Sequence, residues 1–295
     1  MKVRIGVSLG QEGAPEGFAA AVDLLEAVGV DSLWLPEHVY GPAVEPFTGV
    51  AFALSRTRHL KAGTGISVLP GRHPALVAKQ LASLAGLAPR RVLPVFGLQP
   101  AAPAERAAFP VPAGPRAAVF DEALTLLRLL LTADEPVTFE GRFFSVSCAS
   151  AGPRPAQPLD IWLAGSAPGA LRRAGRLADG WLGSLMTPGE AGEAVRVIQA
   201  AAAEAGRQVD PDHFGLSMAI AFGPVPDSYA ASVARRRPGV APESLMADGW
   251  AGARRLISAY ADAGLSKFVV RPAGSKATLA EFLDGFTSEL MPLQT

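Results

Sequence analysis

The stretch that decides the fold is AVGVDSLWLPEH, residues 27–38. Apolar residues at helical spacing end at Gly29, and the short apolar run Leu33-Trp34-Leu35 follows at once. A glycine just after a periodic segment is typical of a helix end, so the stretch predicts a helix, a turn and a buried strand. The strand then runs into two titratable residues, Glu37 and His38. Their position predicts either chemistry at the mouth of a barrel or an ordinary capped loop.

The same alternation of short apolar runs and amphipathic segments extends along the whole chain. Strands are predicted over residues 3–9, 31–35, 60–68, 91–96, 159–164, 180–185, 214–222 and 267–271. The predicted helices that follow them are 18–28, 47–58, 74–87, about 115–131, 168–177, 190–205, 244–263 and 279–290. Strict alternation predicts a parallel sheet, and eight units predict a closed (β/α)8 TIM barrel.

An open, doubly wound sheet is the competing architecture. It needs a glycine-rich phosphate turn after the first strand, and Gly6, Gly10 and Gly13 do not have that spacing. The α/β TIM barrel is therefore the predicted fold class.

Three segments interrupt the alternation, at roughly 97–115, 132–158 and 223–243. We expect barrel insertions after strands four and seven, and a hairpin that turns at Glu140-Gly141 within the middle segment. These segments lie beside the carboxyl ends of strands, where barrels of this type place their active sites. The prediction is a single barrel domain over residues 1–295 with an inserted hairpin at about 132–158.

Composition excludes several function classes. The 27 basic and 27 acidic residues balance, and the longest basic run, Arg235–Arg237, is interpreted as a solvated loop. No apolar run reaches the roughly 18 residues of a membrane span, and the start of the chain reaches Gly6 too early for a signal peptide. Cys148 is the only cysteine. We expect a cytoplasmic enzyme acting on a small molecule, without nucleic-acid or membrane partners.

The histidines do not have metal-ligand spacing. His38, His59, His73 and His213 are all more than four residues apart, so no metal site is predicted. His38 follows strand two and therefore lies at the barrel mouth by topology. From position alone it is either a proton-transfer residue or a loop histidine bonded to backbone.

A second candidate site is LAGSAPGA, residues 163–170, where a strand ends in small residues and a helix begins at once. The first amides of such a helix point outward at the positive end of its dipole, which suits an anion such as phosphate. The alternative is a tight connection in which Ser166 caps the helix. The pattern leaves both open.

Several motifs together resemble the luciferase-like monooxygenase superfamily, and within it the oxidoreductases that depend on the deazaflavin coenzyme F420. They are residues 27–38, 60–66 with 72–75, 116–130, 139–144, and 161–166 with 178–181. The resemblance covers almost the whole chain. It implies a barrel with the flavin-like ring over the carboxyl ends of the strands, and a homodimer.

The resemblance also assigns residues. It implies a non-prolyl cis peptide at Gly65-Ile66, a phosphate on the amides of Gly165 and Ser166, and His38 beside the ring as proton donor or acceptor. Glu37 would orient the imidazole or bind the cofactor tail. The implied cofactor contacts are Gly65, Ile66, Ser67, Ala164, Gly165, Ser166 and Ala167.

One segment departs from the family pattern. Where the family usually has glycines after strand four, this chain has Pro94 and Phe96, and Gln99 lies near the place of a catalytic glutamate in sugar-phosphate dehydrogenases of the family. We predict that the phenyl ring narrows the ring pocket. Phe96, Gln99 and Arg271 are the candidate pocket residues, since Arg271 ends strand eight and could bind a carboxylate or phosphate.

Three functions follow from this sequence. The first is hydride transfer between F420 and a small organic substrate. The second is an FMN-dependent monooxygenase on the same barrel. The third is a barrel that has lost its cofactor and binds a small ligand or partner, which the departure at residues 93–100 alone supports.

Overall fold

The structure is a computed structural model that describes residues 2–9, 13–111, 114–274 and 278–295. Its strands are β1 (Arg4–Ser8), β2 (Ser32–Leu35), β3 (Lys61–Thr64), β4 (Ser67–Val68), β5 (Val92–Leu93), β6 (Val95–Gly97), β7 (Val137–Glu140), β8 (Ser145–Ala149), β9 (Trp162–Ala164), β10 (Gly180–Ser184), β11 (Phe214–Ala221), β12 (Met246–Asp248) and β13 (Lys267–Ala273). Its helices are α1 (Pro15–Val28), α2 (Pro46–Arg56), α3 (Pro74–Leu87), α4 (Arg116–Thr132), α5 (Pro168–Leu177), α6 (Pro188–Glu204), α7 (Asp227–Arg236), α8 (Gly249–Asp262) and α9 (Leu279–Glu289).

The main sheet is parallel and curls round on itself. Seven of its strands lie side by side in parallel pairs, in the order β9, β10, β11, β13, β1, β2 and β3. Two predicted barrel strands are divided: the third consists of β3 and β4, and the fourth consists of β5 and β6. β3 pairs with β5, while β4 pairs with β6 and β6 with β9, so the two ends of the sheet meet at these strands. The α/β class and the curled parallel sheet of the prediction are confirmed.

A threonine side chain replaces sheet pairing at the break in both divided strands. The Thr64 hydroxyl donates to Val95 O at 2.8 Å and accepts from Val95 N at 2.9 Å. The neighbouring Pro94 has no N–H to donate, and its carbonyl accepts from Trp162 N at 3.0 Å. The backbone groups at the break therefore keep partners although regular pairing stops.

Two tryptophans fill much of the barrel interior. Trp34 and Trp162 are 1% and 9% exposed and pack with Leu182 and other apolar residues inside the sheet. A Cβ on Gly6 would clash with the indole of Trp34, and one on Gly180 would clash with that of Trp162. Glycine stands at these interior positions because the indoles occupy the space that another side chain would need.

The segments that interrupt the alternation have structure of their own. β7 and β8 form an antiparallel hairpin with Glu140 opposite Ser145, which confirms the hairpin signal. Residues 223–243 contain α7, and the predicted helix 244–263 begins only at Gly249. Met246–Asp248 forms β12 instead, because these residues pair with the end of β11. Among the described residues, no helix is long and apolar enough to cross a bilayer.

Candidate active site

A cavity of about 550 Å³, here the mouth cavity, opens at the carboxyl ends of the parallel strands. Several predicted site residues line it: Gly65, Ile66, Gln99, Ala164, Gly165, Ser166, Ala167 and Arg271. They follow strands that are far apart in sequence, and the topology brings their carboxyl ends together, as in other barrel sites. Glu37, His38, Ser67 and Phe96 are not among its lining residues.

The peptide bond Gly65-Ile66 is cis, as predicted. Gly65 N donates to Leu35 O at 2.8 Å, and Ile66 O accepts from Glu37 N at 3.1 Å. The Ile66 side chain covers Gly97, where a Cβ would clash with it. The segment between β3 and β4 is thus held to the end of β2 on one side and to β6 on the other, with Gly65 and Ile66 facing the mouth cavity.

His38 lies beside a buried carboxylate that the sequence analysis missed. Its Nδ1 is 3.9 Å from Oε1 of Glu105, which is 3% exposed and belongs to a 3-10 turn, Pro103–Ala108. Glu105 Oε1 also accepts from Tyr40 N at 3.4 Å, while Oε2 has no hydrogen-bond partner among the described residues. Glu105 is the only acidic residue between Leu98 and Pro115, and this was the available signal.

Glu37 pairs with Arg72 and not with the imidazole of His38. Both of its carboxylate oxygens accept from the Arg72 guanidinium, and Oε2 also accepts from Val68 N at 2.8 Å. Arg72 lies 5.2 Å from the Phe109 ring centre. The carboxylate therefore ties β4 and Arg72 to the end of β2, and it is not placed to orient the imidazole.

The anion-site segment keeps its first helical amides free of a side-chain cap. The N-cap of α5 is Ala167, without a side-chain hydrogen bond, so the alternative that Ser166 caps this helix is wrong. Gly165 has φ +120° and its carbonyl accepts from Trp181 Nε1 at 2.9 Å, which fixes the turn. Residues 164–167 and Ala170 line the mouth cavity, so this helix start faces it.

The lining of the mouth cavity is strongly basic. Four arginines line it, Arg106, Arg235, Arg236 and Arg271, and no acidic residue stands among the described lining residues. Such a wall favours an anionic or phosphorylated ligand.

Arg235–Arg237 was predicted to be a solvated loop; Arg235 and Arg236 are exposed as predicted, but they lie in a helix and not in a loop. Arg235 and Arg236 end α7, which carries them to the mouth cavity. Arg236 donates to Ser184 Oγ at 3.2 Å, and Arg237 donates to Leu185 O and to Glu190. These hydrogen bonds of Arg236 and Arg237 attach the end of α7 to the end of β10 and the start of α6.

Tyr229 supports the fourth arginine. The Arg271 guanidinium lies 5.8 Å from the Tyr229 ring centre, and the Tyr229 hydroxyl donates to Leu245 O at 2.7 Å. Burial raises the pKa of Tyr229 to about 12. The phenol therefore stays neutral at physiological pH and serves as a fixed surface under the guanidinium.

The prediction that Phe96 narrows the ring pocket is wrong. Phe96 is fully buried in the core between the sheet and the helices. Its neighbour Val95 faces the barrel interior with Trp34 and Trp162. Because side chains alternate along a strand, Phe96 must point the other way.

Ser67, predicted as a cofactor contact, and the loop histidine His73 lie outside the mouth cavity. Ser67 is fully buried beside Phe96 on the adjacent strand, and its Oγ has no partner in the described part of the chain. His73 Nδ1 accepts from Ala75 N at 3.3 Å and so caps α3. Within residues 2–9, 13–111, 114–274 and 278–295, no group of three or more His, Cys, Asp or Glu side chains could hold a metal ion.

The sequence of residues 1–280 matches the luciferase-like monooxygenase family. The chain belongs to this family. It is 34% identical over 179 residues to the F420-dependent glucose-6-phosphate dehydrogenase of Beutenbergia cavernae, a match that covers 57% of this chain and 52% of that relative. The chain thus spans about half the length of the curated relatives it matches.

Solved structures share the fold of this luciferase-like chain over its full length. An F420-dependent secondary alcohol dehydrogenase, in complex with an F420–acetone adduct, superposes with a TM-score of 0.82 at 22% identity, with 100% of both chains covered. The coenzyme F420-dependent tetrahydromethanopterin reductase from Methanopyrus kandleri superposes with a TM-score of 0.80 at 19% identity, again over 100% of both chains. At these identities the likeness establishes the fold alone.

Proposed function

We propose that the protein is an oxidoreductase that transfers a hydride between coenzyme F420 and a small organic substrate bound in the mouth cavity. The observation that carries the proposal is the mouth cavity itself, which combines a basic lining with the uncapped start of α5 at the carboxyl ends of the strands. Similarity to an F420-dependent glucose-6-phosphate dehydrogenase supports the choice of cofactor.

The lining residues fit an anionic cofactor with a phosphate. Gly165 and Ser166 offer backbone amides, Ala164, Ala167 and Ala170 leave room for close approach, and the arginines supply positive charge. When bound, the deazaflavin supplies the carbon that gives or accepts the hydride. The protein supplies position, electrostatics and proton transfer.

His38 is the proposed proton carrier, and Glu105 the residue that positions it. His38 follows β2, and Glu105 lies in the same short turn as Pro103 and Arg106, both of which line the mouth cavity. A carboxylate beside an imidazole favours one ring orientation and one tautomer. The Glu37–Arg72 pair keeps the end of β2 joined to β4.

Two alternatives remain outcomes of the test. FMN could serve as cofactor of a monooxygenase on the same barrel. The other is a barrel without cofactor, which Phe96 does not support because it lies in the helix-facing core and does not fill the mouth cavity.

The deciding experiment titrates the purified protein with F420 and, separately, with FMN, and follows cofactor absorbance and fluorescence. We expect saturable F420 binding and at least about tenfold weaker FMN binding. Arg236→Gln should weaken F420 binding by about tenfold because it removes a charged donor from the lining. Arg196→Gln, an exposed arginine on α6, is the matched control. Tighter FMN binding would indicate the monooxygenase, and no binding of either would indicate the barrel without cofactor.

A homodimer is part of the same proposal. Phe52 on α2 is 41% exposed, and Leu76 and Leu87 on α3 are 69% and 84% exposed, so two neighbouring helices present apolar side chains to solvent. Such side chains are often covered by a second subunit. Light scattering should give twice the chain mass, and Leu87→Glu should shift the protein toward monomer.

A further inference from the structure

A second cavity, here the floor cavity, lies at the opposite end of the barrel. It has a volume of about 310 Å³ and is lined by residues at the amino ends of strands, among them Arg4, Lys61, Val92, Trp162 and Lys267. The mouth cavity is lined by residues at the carboxyl ends. The two cavities share no lining residue and are separated by the packed interior of the barrel.

Three cations converge on one carboxylate at the floor cavity. Lys267, 6% exposed, donates to Asp31 and, at 2.8 Å, to Ser32 Oγ. Lys61 donates to the other Asp31 oxygen at 2.7 Å, and Arg4 lies 3.9 Å from the same oxygen. An ammonium has three donors, so Lys267 retains one beyond these two partners. The cluster carries excess positive charge around the buried Lys267, which an anion would relieve.

Basic and acidic side chains occupy different arcs of the floor cavity. Arg4, Lys61 and Lys267 belong to β1, β3 and β13, and Arg90 precedes β5, so the basic side chains fall on consecutive positions of the barrel around β2. The acidic side chains, Asp160 and Asp212, precede β9 and β11 on the other arc. The four cations exceed these two acids and Asp31 by one charge, which matches a monoanion.

Arg90 is available to a ligand at the rim. It is exposed, has φ +64°, and makes no hydrogen bond or ion pair with any residue that the structure describes. Pro89 and Gln157, also exposed, stand at the same rim, so the floor cavity communicates with solvent. A ligand could enter there without opening the barrel.

The apolar part of the floor cavity includes two indoles. Trp34 and Trp162 line it together with Leu93 and Val95. The Trp162 ring also packs against His213, with centres 5.4 Å apart, and this fixes the orientation of the indole. The volume of the floor cavity lies near the lower end for small-molecule sites, which limits the ligand to a compact molecule.

We propose that the floor cavity binds a small monocarboxylate with a flat apolar body. Lys267, Lys61 and Arg90 hold the carboxylate, and the indole of Trp162 contacts the body. The site is separate from the mouth cavity and does not depend on the function proposed for it.

The first experiment follows tryptophan fluorescence while the full-length protein is titrated with benzoate and, separately, with benzamide. Benzoate carries the charge and benzamide has nearly the same shape without it. We expect saturation with a Kd of about 1 mM for benzoate, as befits so small a ligand, and at least about tenfold weaker binding of benzamide. The signal should be strongly reduced in Trp162→Phe, since that indole lines the floor cavity.

Charge variants identify which cavity is occupied. Lys61→Gln and Arg90→Gln should each weaken benzoate binding at least about fivefold, whereas Arg236→Gln, at the mouth cavity, should leave it unchanged. Circular dichroism checks that each variant is folded, and Arg90, exposed and without a partner in the described chain, is the variant least able to disturb the fold. No saturation up to about 50 mM, equal binding of benzamide, or loss of binding only in Arg236→Gln would overturn the proposal.

Discussion

Nδ1 of the His38 imidazole lies 3.9 Å from Oε1 of Glu105, a carboxylate that the chain buries to 3% exposure. The separation exceeds a direct hydrogen bond, and catalytic contacts are often this long before substrate binds. Only the fold brings these residues together, since 67 positions separate them. A buried acid with one oxygen lacking a partner in the described chain is costly to the fold, and its position beside His38 fits a functional role.

Removing the imidazole should abolish most of the activity. His38→Ala should lower turnover by roughly 10²–10⁴-fold while the fold survives, because a positioned proton carrier contributes about that much. Glu105→Gln should lower kcat less and change KM little, since it acts through His38. Steady-state rates with F420 and a panel of alcohols and sugar phosphates provide the measurement.

His59→Ala is the control for this experiment. His59 is exposed and precedes β3, at the end of the barrel away from the mouth cavity. If His38→Ala and His59→Ala have equal turnover, His38 is an ordinary loop histidine and not a proton carrier.

Phe96→Gly should destabilise the fold without improving cofactor binding. A fully buried phenyl ring in the helix-facing core leaves a cavity when removed, at a cost of about 3–5 kcal/mol in the free energy of unfolding. Urea denaturation provides the value, and Leu129→Ala, a 38% exposed leucine on α4, should cost clearly less. A gain in F420 affinity would place the ring in the mouth cavity after all.

The two positions of the anion segment should differ in their effect on F420 binding. Ser166→Ala should weaken it by only about 1 kcal/mol because the amides at the start of α5 remain. Gly165→Ala should weaken it more, since φ is +120° and the new Cβ would lie 2.9 Å from Ala170 Cβ. Fluorescence titration of F420 measures both affinities, and equal small effects would mean that the phosphate binds elsewhere.

The sequence was informative where the pattern is local. Pro at the first turn and apolar spacing predicted α3 over residues 74–87 and α5 over residues 168–177, with the bounds that the structure has. Side chains alternate along a strand, so Phe96 and Val95 point to opposite faces of β6. Because Val95 faces the barrel interior, Phe96 points away from it. The glycines that the family has in this segment do not indicate which face of the strand Phe96 occupies.

Contacts between distant segments could not be predicted in this way. Glu37 pairs with Arg72, and His38 approaches Glu105, because β2, β4 and the turn after β6 meet at the barrel mouth. No spacing within either segment encodes the partner. Likewise, the sequence does not show that α7 brings the exposed Arg235 and Arg236 to the mouth cavity.

Asp31 should be far more important for stability than an exposed ion pair of similar geometry. Burial opposes its charged form, yet the positive charges of Lys267 and Lys61 outweigh burial and hold the pKa of Asp31 well below 3.8. Asp31→Asn leaves Lys267 buried without its counter-ion and should cost about 3–5 kcal/mol.

Urea denaturation at neutral pH measures this cost. Asp23→Asn, which breaks the exposed pair with Arg56, is the matched control and should cost about 1 kcal/mol or less. Because the folded pKa of Asp31 is depressed, its contribution is present above pH 3.8 and is lost as the pH falls below that value. The two variants should therefore converge in stability toward acid pH, and equal costs at neutral pH would contradict the role of Asp31.

Lys267 should make the fold more stable as the pH rises through the alkaline range. Burial lowers the pKa of Lys267 to about 8, although Asp31 acts in the opposite direction, and the ordinary value is 10.5. Between pH 8 and 10.5 the unfolded chain keeps this proton while the folded chain has lost it. The unfolded state then binds more protons, so the free energy of unfolding increases with pH over this window.

The Lys267 effect is measured as a difference, because other groups titrate in the same range. Tyr229, whose pKa burial raises to about 12, makes the fold less stable above pH 10 as the phenols of the unfolded chain ionise. Lys267→Met retains Tyr229 and lacks the ammonium. From pH 8 to 10, the unfolding free energy of the wild type should therefore rise relative to that of Lys267→Met, by an amount on the order of 2 kcal/mol. Parallel pH profiles of the two proteins would mean that Lys267 keeps its ordinary pKa and that water reaches the floor of the barrel freely.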